Sequence, residues 1–267
     1  MMASLSTVPS DELLAALQLQ YDWGVDAVVE DEVWKPLAPE PQKLAPTLPR
    51  AVSPSPVRHE AALSQHEALL SARDLPELLR LSEHIEGVTL SRTAMNRLVP
   101  RYVPNAAFMV VGEVPDADED RSGRLFAGKA GELLEAVLAS VGLNRDQLSF
   151  VPTIPWRPPG GQRVPDRELK ACLPLLQRSI TLGQPSHIVT MGMTPMRLLL
   201  KTSDRLSQVR GRWAEATLPG MAKPIPVFPM LHPLQLTGAP LLRRHFWRDL
   251  LVLTDTLGRA GEGKERK

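Results

Sequence analysis

Four short, mostly apolar runs, each closed by glycine or proline and each followed by a helical pattern, limit what this chain can fold into. They are 108–111, 148–151, 187–191 and 225–229. Runs this short and this apolar suit strands covered on both faces, and strands alternating with helices give a mainly parallel sheet. The expectation is an α/β fold of three layers, α/β/α, with a central sheet. Helical spacing predicts helices at about 129–141, ended by Gly142, at 166–182, ended by Gly183, at 194–201 after Gly192, and at 241–257. In open parallel sheets ligands bind beyond the carboxyl ends of the strands. That edge would gather Gly112–Glu113, the loop 152–165, Gly192–Thr194 and Leu231–His232–Pro233.

Ahead of this region the pattern differs. Residues 11–21 (DELLAALQLQY) read as a short helix capped by Ser10, within an N-terminal segment 1–34. Seven prolines between 35 and 58 mark an extended linker without a core of its own. A leucine-rich helical lead-in covers 59–87, the main domain 88–257, and a charged tail 258–267.

The net charge of +1 conceals an asymmetry. Residues 1–90 hold 6 Lys/Arg against 14 Asp/Glu, whereas residues 157–248 hold 14 against 4. Such polarity fits a polyanion partner for the basic half, an acidic arm that shields it, or ordinary solvated surface. The single cysteine, Cys172, excludes an internal disulfide and any metal site of several thiolates. Neither a membrane-spanning run nor a signal peptide is evident, so a cytoplasmic location is expected. A monomer is the default, since no self-complementary face stands out.

The sheet edge would carry a carboxylate (Glu113), an aromatic ring (Phe126), a histidine (His232) and arginines. This set suits glycosidic hydrolysis: the acid stabilises a cationic sugar or orients water, a donor stabilises the leaving group, and the ring stacks on a base. Each residue also has a plainer reading. Glu113 alone would cap a turn, Phe126 alone would be core, His232 would be a loop histidine satisfied by backbone, and Arg157 and Arg163 would be solvated.

The segments 112–131 (GEVPDADEDRSGRLFAGKAG), 156–180, 188–200, 209–213 and 229–251 resemble, in order and spacing, the signature segments of the family 4 uracil-DNA glycosylases. The resemblance covers roughly 88–257. It implies excision of uracil or a related damaged base from DNA, in base excision repair, with Glu113 as the catalytic-segment acid and His232 as the donor to the base carbonyl. Phe126 would stack on the base, and Lys129, Arg157, Arg163, Arg243 and Arg244 would contact DNA.

Several positions depart from the family pattern. The family holds an iron–sulfur cluster through four cysteines, and the corresponding positions here are Ile85, Val88, Trp156 and Cys172. One thiol cannot hold such a cluster, so none is expected, with apolar packing in its place. The asparagine that reads the uracil edge falls at Pro152, which carries no side-chain donor or acceptor. Asp116 stands where a glycine is usual, as an auxiliary acid or a repeller of phosphate. The loop Gln235–Gly238 lacks a bulky wedge, which implies a preference for single-stranded DNA. The alternative is a catalytically weakened or inactive DNA-binding relative. A protein partner for the N-terminal arm is compatible with either.

Overall fold

The computed structural model describes residues 65–237 and 239–265, with side chains described as far as residue 257. The expected helix at 11–21 and the Pro-rich linker lie outside the described residues.

Five strands form one sheet: β1 (Met109–Val111), β2 (Ser149–Val151), β3 (Ile188–Met191), β4 (Ala214–Ala216) and β5 (Ile225–Met230), in the order β2-β1-β3-β5-β4. The pairs β1–β2, β1–β3 and β3–β5 are parallel, and β4 joins β5 antiparallel at the edge. Four strand ends therefore do share one edge. The edge strand β4 escaped the sequence reading, because the three residues Ala-Glu-Ala carry no strand signal of their own.

Alternation explains the layers. Val110, Phe150, Val189 and Phe228 face one way, onto helices α3 (Gly128–Ser140) and α7 (Pro240–Glu265), the latter preceded in the chain by the short α6 (Leu206–Val209), through Leu134, Leu138, Phe246 and Leu250. Met109, Val111, Val151, Ile188 and Val227 face the other way, onto α4 (Asp166–Gly183) through Leu176 and Ile180. The strand side chains named here are at most 1% exposed, which is why these runs read as continuously apolar.

Three boundaries differ from expectation. The acidic stretch after Glu113, which none of the expected helices covers, contains a helix, α2 (Ala117–Ser122). Its signal is a capping box: Asp116 accepts from the N–H groups of Asp118 and Glu119, and Glu119 accepts from the N–H of Asp116. Gly183 does not end α4 as a left-handed cap; Gln184 takes that conformation, with φ 45°. Gly183 serves packing, since a Cβ there would collide with Met109 and crowd Tyr102. The closing helix runs to Glu265 rather than 257, so the expected tail is helical in its backbone to that point.

A second apolar cluster lies under the lead-in. The helix α1 (Leu75–Leu81) contributes Leu78, and Ile85, Val88, Ile154, Trp156, Val164 and Cys172 pack with it. Three polar contacts fasten its rim. Glu168 accepts from the N–H and hydroxyl of Thr89, Arg178 donates to the carbonyl of Ala72 at 2.6 Å, and Arg97 donates to the carbonyl of Leu79 at 2.8 Å while lying 5.7 Å from the Trp156 ring centre. Trp156→Ala is expected to destabilise the fold by about 3–5 kcal/mol in denaturant titration. A loss below about 1 kcal/mol would mean that the indole is not part of a tight core.

Candidate functional site

The short loop after β1 delivers Glu113 to the carboxyl edge of the sheet. Its carboxylate accepts from the N–H of Thr194 at 3.0 Å and from that of Val114 at 3.3 Å. It thus caps helix α5 (Met193–Leu200), whose own N-cap residue, Gly192, has no side chain to do so. An anion is favoured at this helix end. Gly192 is needed twice over: its φ is +114°, and a Cβ would collide with the Glu113 carboxylate. The plain reading of Glu113 as a cap is therefore real, and the carboxyl group remains only half-buried at the edge.

Phe126 sits between α2 and α3 in a left-handed conformation, with φ 51°. Two buried ionisable side chains hold its peptide. Glu119 accepts from the Phe126 N–H at 2.6 Å, while Arg145 donates to the carbonyls of Leu125 and Phe126. Burial pushes the Glu119 carboxyl up to about 7. Neither residue was singled out from sequence. The Asp116-x-x-Glu119 spacing signals the cap, but nothing local announces Arg145, which arrives from a turn 19 residues away. The approach of α3 is equally close, since a Cβ on Gly131 would collide with the Phe126 carbonyl oxygen.

His232 follows β5 and begins a short 3-10 turn, Pro233–Leu236. Its Nδ1 accepts from the N–H of Leu234 at 3.3 Å, so the ring proton belongs on Nε2. Burial lowers the imidazole to about 4, which keeps it neutral at physiological pH. A neutral imidazole with an Nε2–H suits donation to an oxygen that gains negative charge.

The structure brings His232 and Phe126 into contact, their ring centres 5.3 Å apart at 22°. Phe150 meets Phe126 edge-on at 5.8 Å. A base lying between two rings needs about 7 Å, twice a stacking contact of about 3.5 Å. For a base to stack on this face of Phe126, one ring has to move. Pro152 is buried at the end of β2, and the hydroxyl of its neighbour Thr153 donates to the Gly112 carbonyl.

The remaining candidates divide by location. Arg157 and Arg163 line a cleft of about 750 Å³ beside Glu113, together with Asp116. Asp116, expected as an auxiliary acid, has its carboxylate engaged in the α2 cap. Arg163 pairs with Asp166 at 3.3 Å. Lys129 is exposed in the first turn of α3. Arg243 and Arg244 are exposed near the start of α7, and Arg243 donates to the Leu236 carbonyl at 3.4 Å. In the loop after His232, Leu236 packs into the core and Leu234 is exposed.

The positions that resemblance assigns to cluster ligands converge in one apolar cluster. Ile85, Val88, Trp156 and Cys172 are all buried there. Burial pushes the Cys172 thiol up to about 12, so it is not a ready thiolate. This donor set does not fit a four-thiolate iron–sulfur cluster. Among the described residues no group of three or more His, Cys, Asp or Glu side chains is arranged to hold a metal ion.

The family model described as the Uracil DNA glycosylase superfamily matches residues 99–251, a span that holds all four parallel strands and the Glu113, Phe126 and His232 trio. The chain belongs to this superfamily. Among similar proteins, a Type-4 uracil-DNA glycosylase of Pyrobaculum aerophilum is 30% identical over 184 residues, covering 67% of this chain and 92% of the relative. A Type-4 uracil-DNA glycosylase of Sulfurisphaera tokodaii is 34% identical over 149 residues, covering 53% and 66%. A DNA polymerase of Bacillus phage SP01 is 30% identical over 163 residues, covering 61% of this chain and 16% of the polymerase. The superfamily match stops short of the N-terminal 98 residues.

The titrations of the two buried groups act in opposite directions on stability. His232, lowered to about 4, makes stability rise with pH between about 4 and 6.5. Glu119, raised to about 7, makes it fall between about 4.5 and 7. The two contributions oppose each other across this window. In Glu119→Gln, stability should rise with pH up to about 6.5 in chemical denaturation series; an unchanged profile would count against the buried carboxylate. In nitrogen-detected NMR, His232 should show the Nε2–H tautomer and no protonation above pH about 5.

Proposed function

We propose that the protein hydrolyses the N-glycosidic bond of uracil, or of a related damaged base, in DNA, and serves base excision repair. The observation that supports this reading is the contact between Phe126 and a neutral His232 at a sheet whose β1 also ends in Glu113. In this mechanism Glu113 stabilises the oxocarbenium-like sugar or orients the attacking water. The Nε2–H of His232 donates to the base carbonyl as negative charge develops, and because the imidazole is neutral its role is hydrogen-bond donation rather than proton transfer. Phe126 supplies the stacking face once its ring separates from His232. The names of the Type-4 relatives support the choice of uracil.

The substrate is DNA bound by the basic surface that includes Lys129, Arg157, Arg163, Arg243 and Arg244. Single-stranded DNA is preferred, since Leu236 is buried and the loop offers little to hold a base out of a duplex. The protein acts as a monomer in the cytoplasm, and its N-terminal arm recruits a protein partner. Among the described residues no helix is long and apolar enough to cross a membrane. It works without an iron–sulfur cluster, because Ile85, Val88 and Trp156 leave one thiol and a packed core.

A second reading is a DNA-binding relative with weak or absent catalysis. The closed Phe126–His232 stack and the lack of a base-reading side chain at Pro152 favour it.

Base excision from uracil-containing single-stranded oligonucleotides separates the two. Activity should fall by about 10²-fold or more in Glu113→Ala and in His232→Ala. No excision by the wild type, with salt-sensitive DNA binding retained, would establish the second reading. Purified protein should contain no stoichiometric iron and show no cluster absorption; iron-loaded protein would overturn the cluster-free reading.

A further inference from the structure

A cleft lies beside Glu113, and the trio does not use it. It opens between the loop after β1, the loop after β2 with the start of α4, and helix α5 with the turn that follows. Its volume of about 750 Å³ suits a nucleotide-sized ligand. Its walls are of two kinds. Val114, Pro158, Leu169 and Leu198 form an apolar surface, while Arg157, Arg163, Lys170 and Arg197 bring four cations to the same space. Of the two carboxylates at the cleft, Asp116 is engaged in its helix cap, and Asp166 pairs with Arg163, one of the four cations.

Two of those arginines are incompletely satisfied. The Nε–H groups of Arg157 and Arg197 are buried and have no hydrogen-bond partner. Buried donors without acceptors are uncommon and call for one. Arg197 is anchored at its other end, donating to the Ser203 carbonyl at 3.3 Å, so its guanidinium is held at the cleft. The cleft also adjoins the catalytic acid. Val114 follows Glu113 in the chain, and Thr194, whose N–H holds the Glu113 carboxylate, is part of the wall.

We propose that this cleft is a second nucleotide subsite. It holds a nucleotide neighbouring the one presented to Glu113, with the base on the apolar wall and the phosphate on Arg157 and Arg197. The proposal rests on the reading of the protein as one that binds a DNA strand. An apolar face beside paired guanidinium groups recognises a base and phosphate together, and an unstacked base is available only in a single strand. The cleft therefore gives a positive reason for single-strand preference, independent of any missing wedge.

The test is direct binding of the full chain to a fluorescein-labelled single-stranded oligonucleotide over a salt series. Arg157→Gln combined with Arg197→Gln should weaken binding by about 10-fold or more. It should also flatten the slope of log K against log salt by about 0.7 for each phosphate no longer neutralised. Leu198→Glu, which keeps both arginines and places a negative charge in the cleft, should weaken binding likewise, with melting curves confirming that each variant folds. Thymidine 5′-monophosphate should shift the methyl resonances of Val114, Leu169 and Leu198, and inorganic phosphate should not. Wild-type affinity and salt slope in both variants would overturn the subsite while leaving DNA binding intact. Equal shifts from phosphate and nucleotide would overturn the base-binding half of the proposal. A wild type that binds no DNA would overturn the subsite and the DNA-binding reading together, and DNA binding without excision, still sensitive to these variants, would support the subsite although the glycosylase reading fails.

Discussion

A buried carboxylate and a buried guanidinium hold one left-handed peptide, and the site is arranged around it. Glu119 accepts from the N–H of Phe126, and Arg145 donates to the neighbouring carbonyls. A bulky residue with positive φ persists only where its surroundings over-determine it. Here the same peptide ends the turn from α2 and starts α3, which passes so close that only glycine fits at position 131. The clamp aims the Phe126 ring at His232. The opposite edge of the site is set by another backbone interaction, the capping of α5 by Glu113. Glu113 and Glu119 therefore both have structural duties, and the half-buried Glu113 combines one with a place at the edge of the sheet.

In the lead-in region the residues present suit packing rather than metal ligation. Four metal ligands would pin this region through a few strong, directional bonds. Ile85, Val88, Trp156 and Cys172 instead bury apolar area in one cluster, with Glu168, Arg97 and Arg178 fastening its rim. Burial is non-directional and distributed, so the rim contacts supply the directionality that packing lacks. Trp156 also immediately precedes Arg157, so this core supports the loop that lines the cleft.

The strands and the main helices were legible because their signals are local. A doubly covered strand is apolar throughout, as in 108–111, and Gly142 marks a helix end by its own backbone freedom. Glu113 and His232 stood out in the sequence because each lies just beyond a strand end, and Phe126 because it is a lone aromatic ahead of a helix. What escaped had either no local signal or a competing one. Arg145 acts 19 residues from its target, β4 is two alanines around a glutamate, and Asp116 read as a possible acid because its capping partner, Glu119, was not paired with it. Gly183 looked like a helix terminator but is small because Met109 and Tyr102 crowd it.

Residue type and short-range pattern alone gave away the layered α/β architecture, the strand ends that share one sheet edge, the superfamily resemblance and the shortage of thiols. The burial that keeps His232 neutral, the contact between its ring and Phe126, the capping of α5 by Glu113 and the cationic cleft beside it emerged only from the folded chain. Those depend on burial and on side chains that meet across long stretches of chain. Desolvation, ring spacing and an unpartnered guanidinium are properties of a place in three dimensions, and no run of residues encodes them alone.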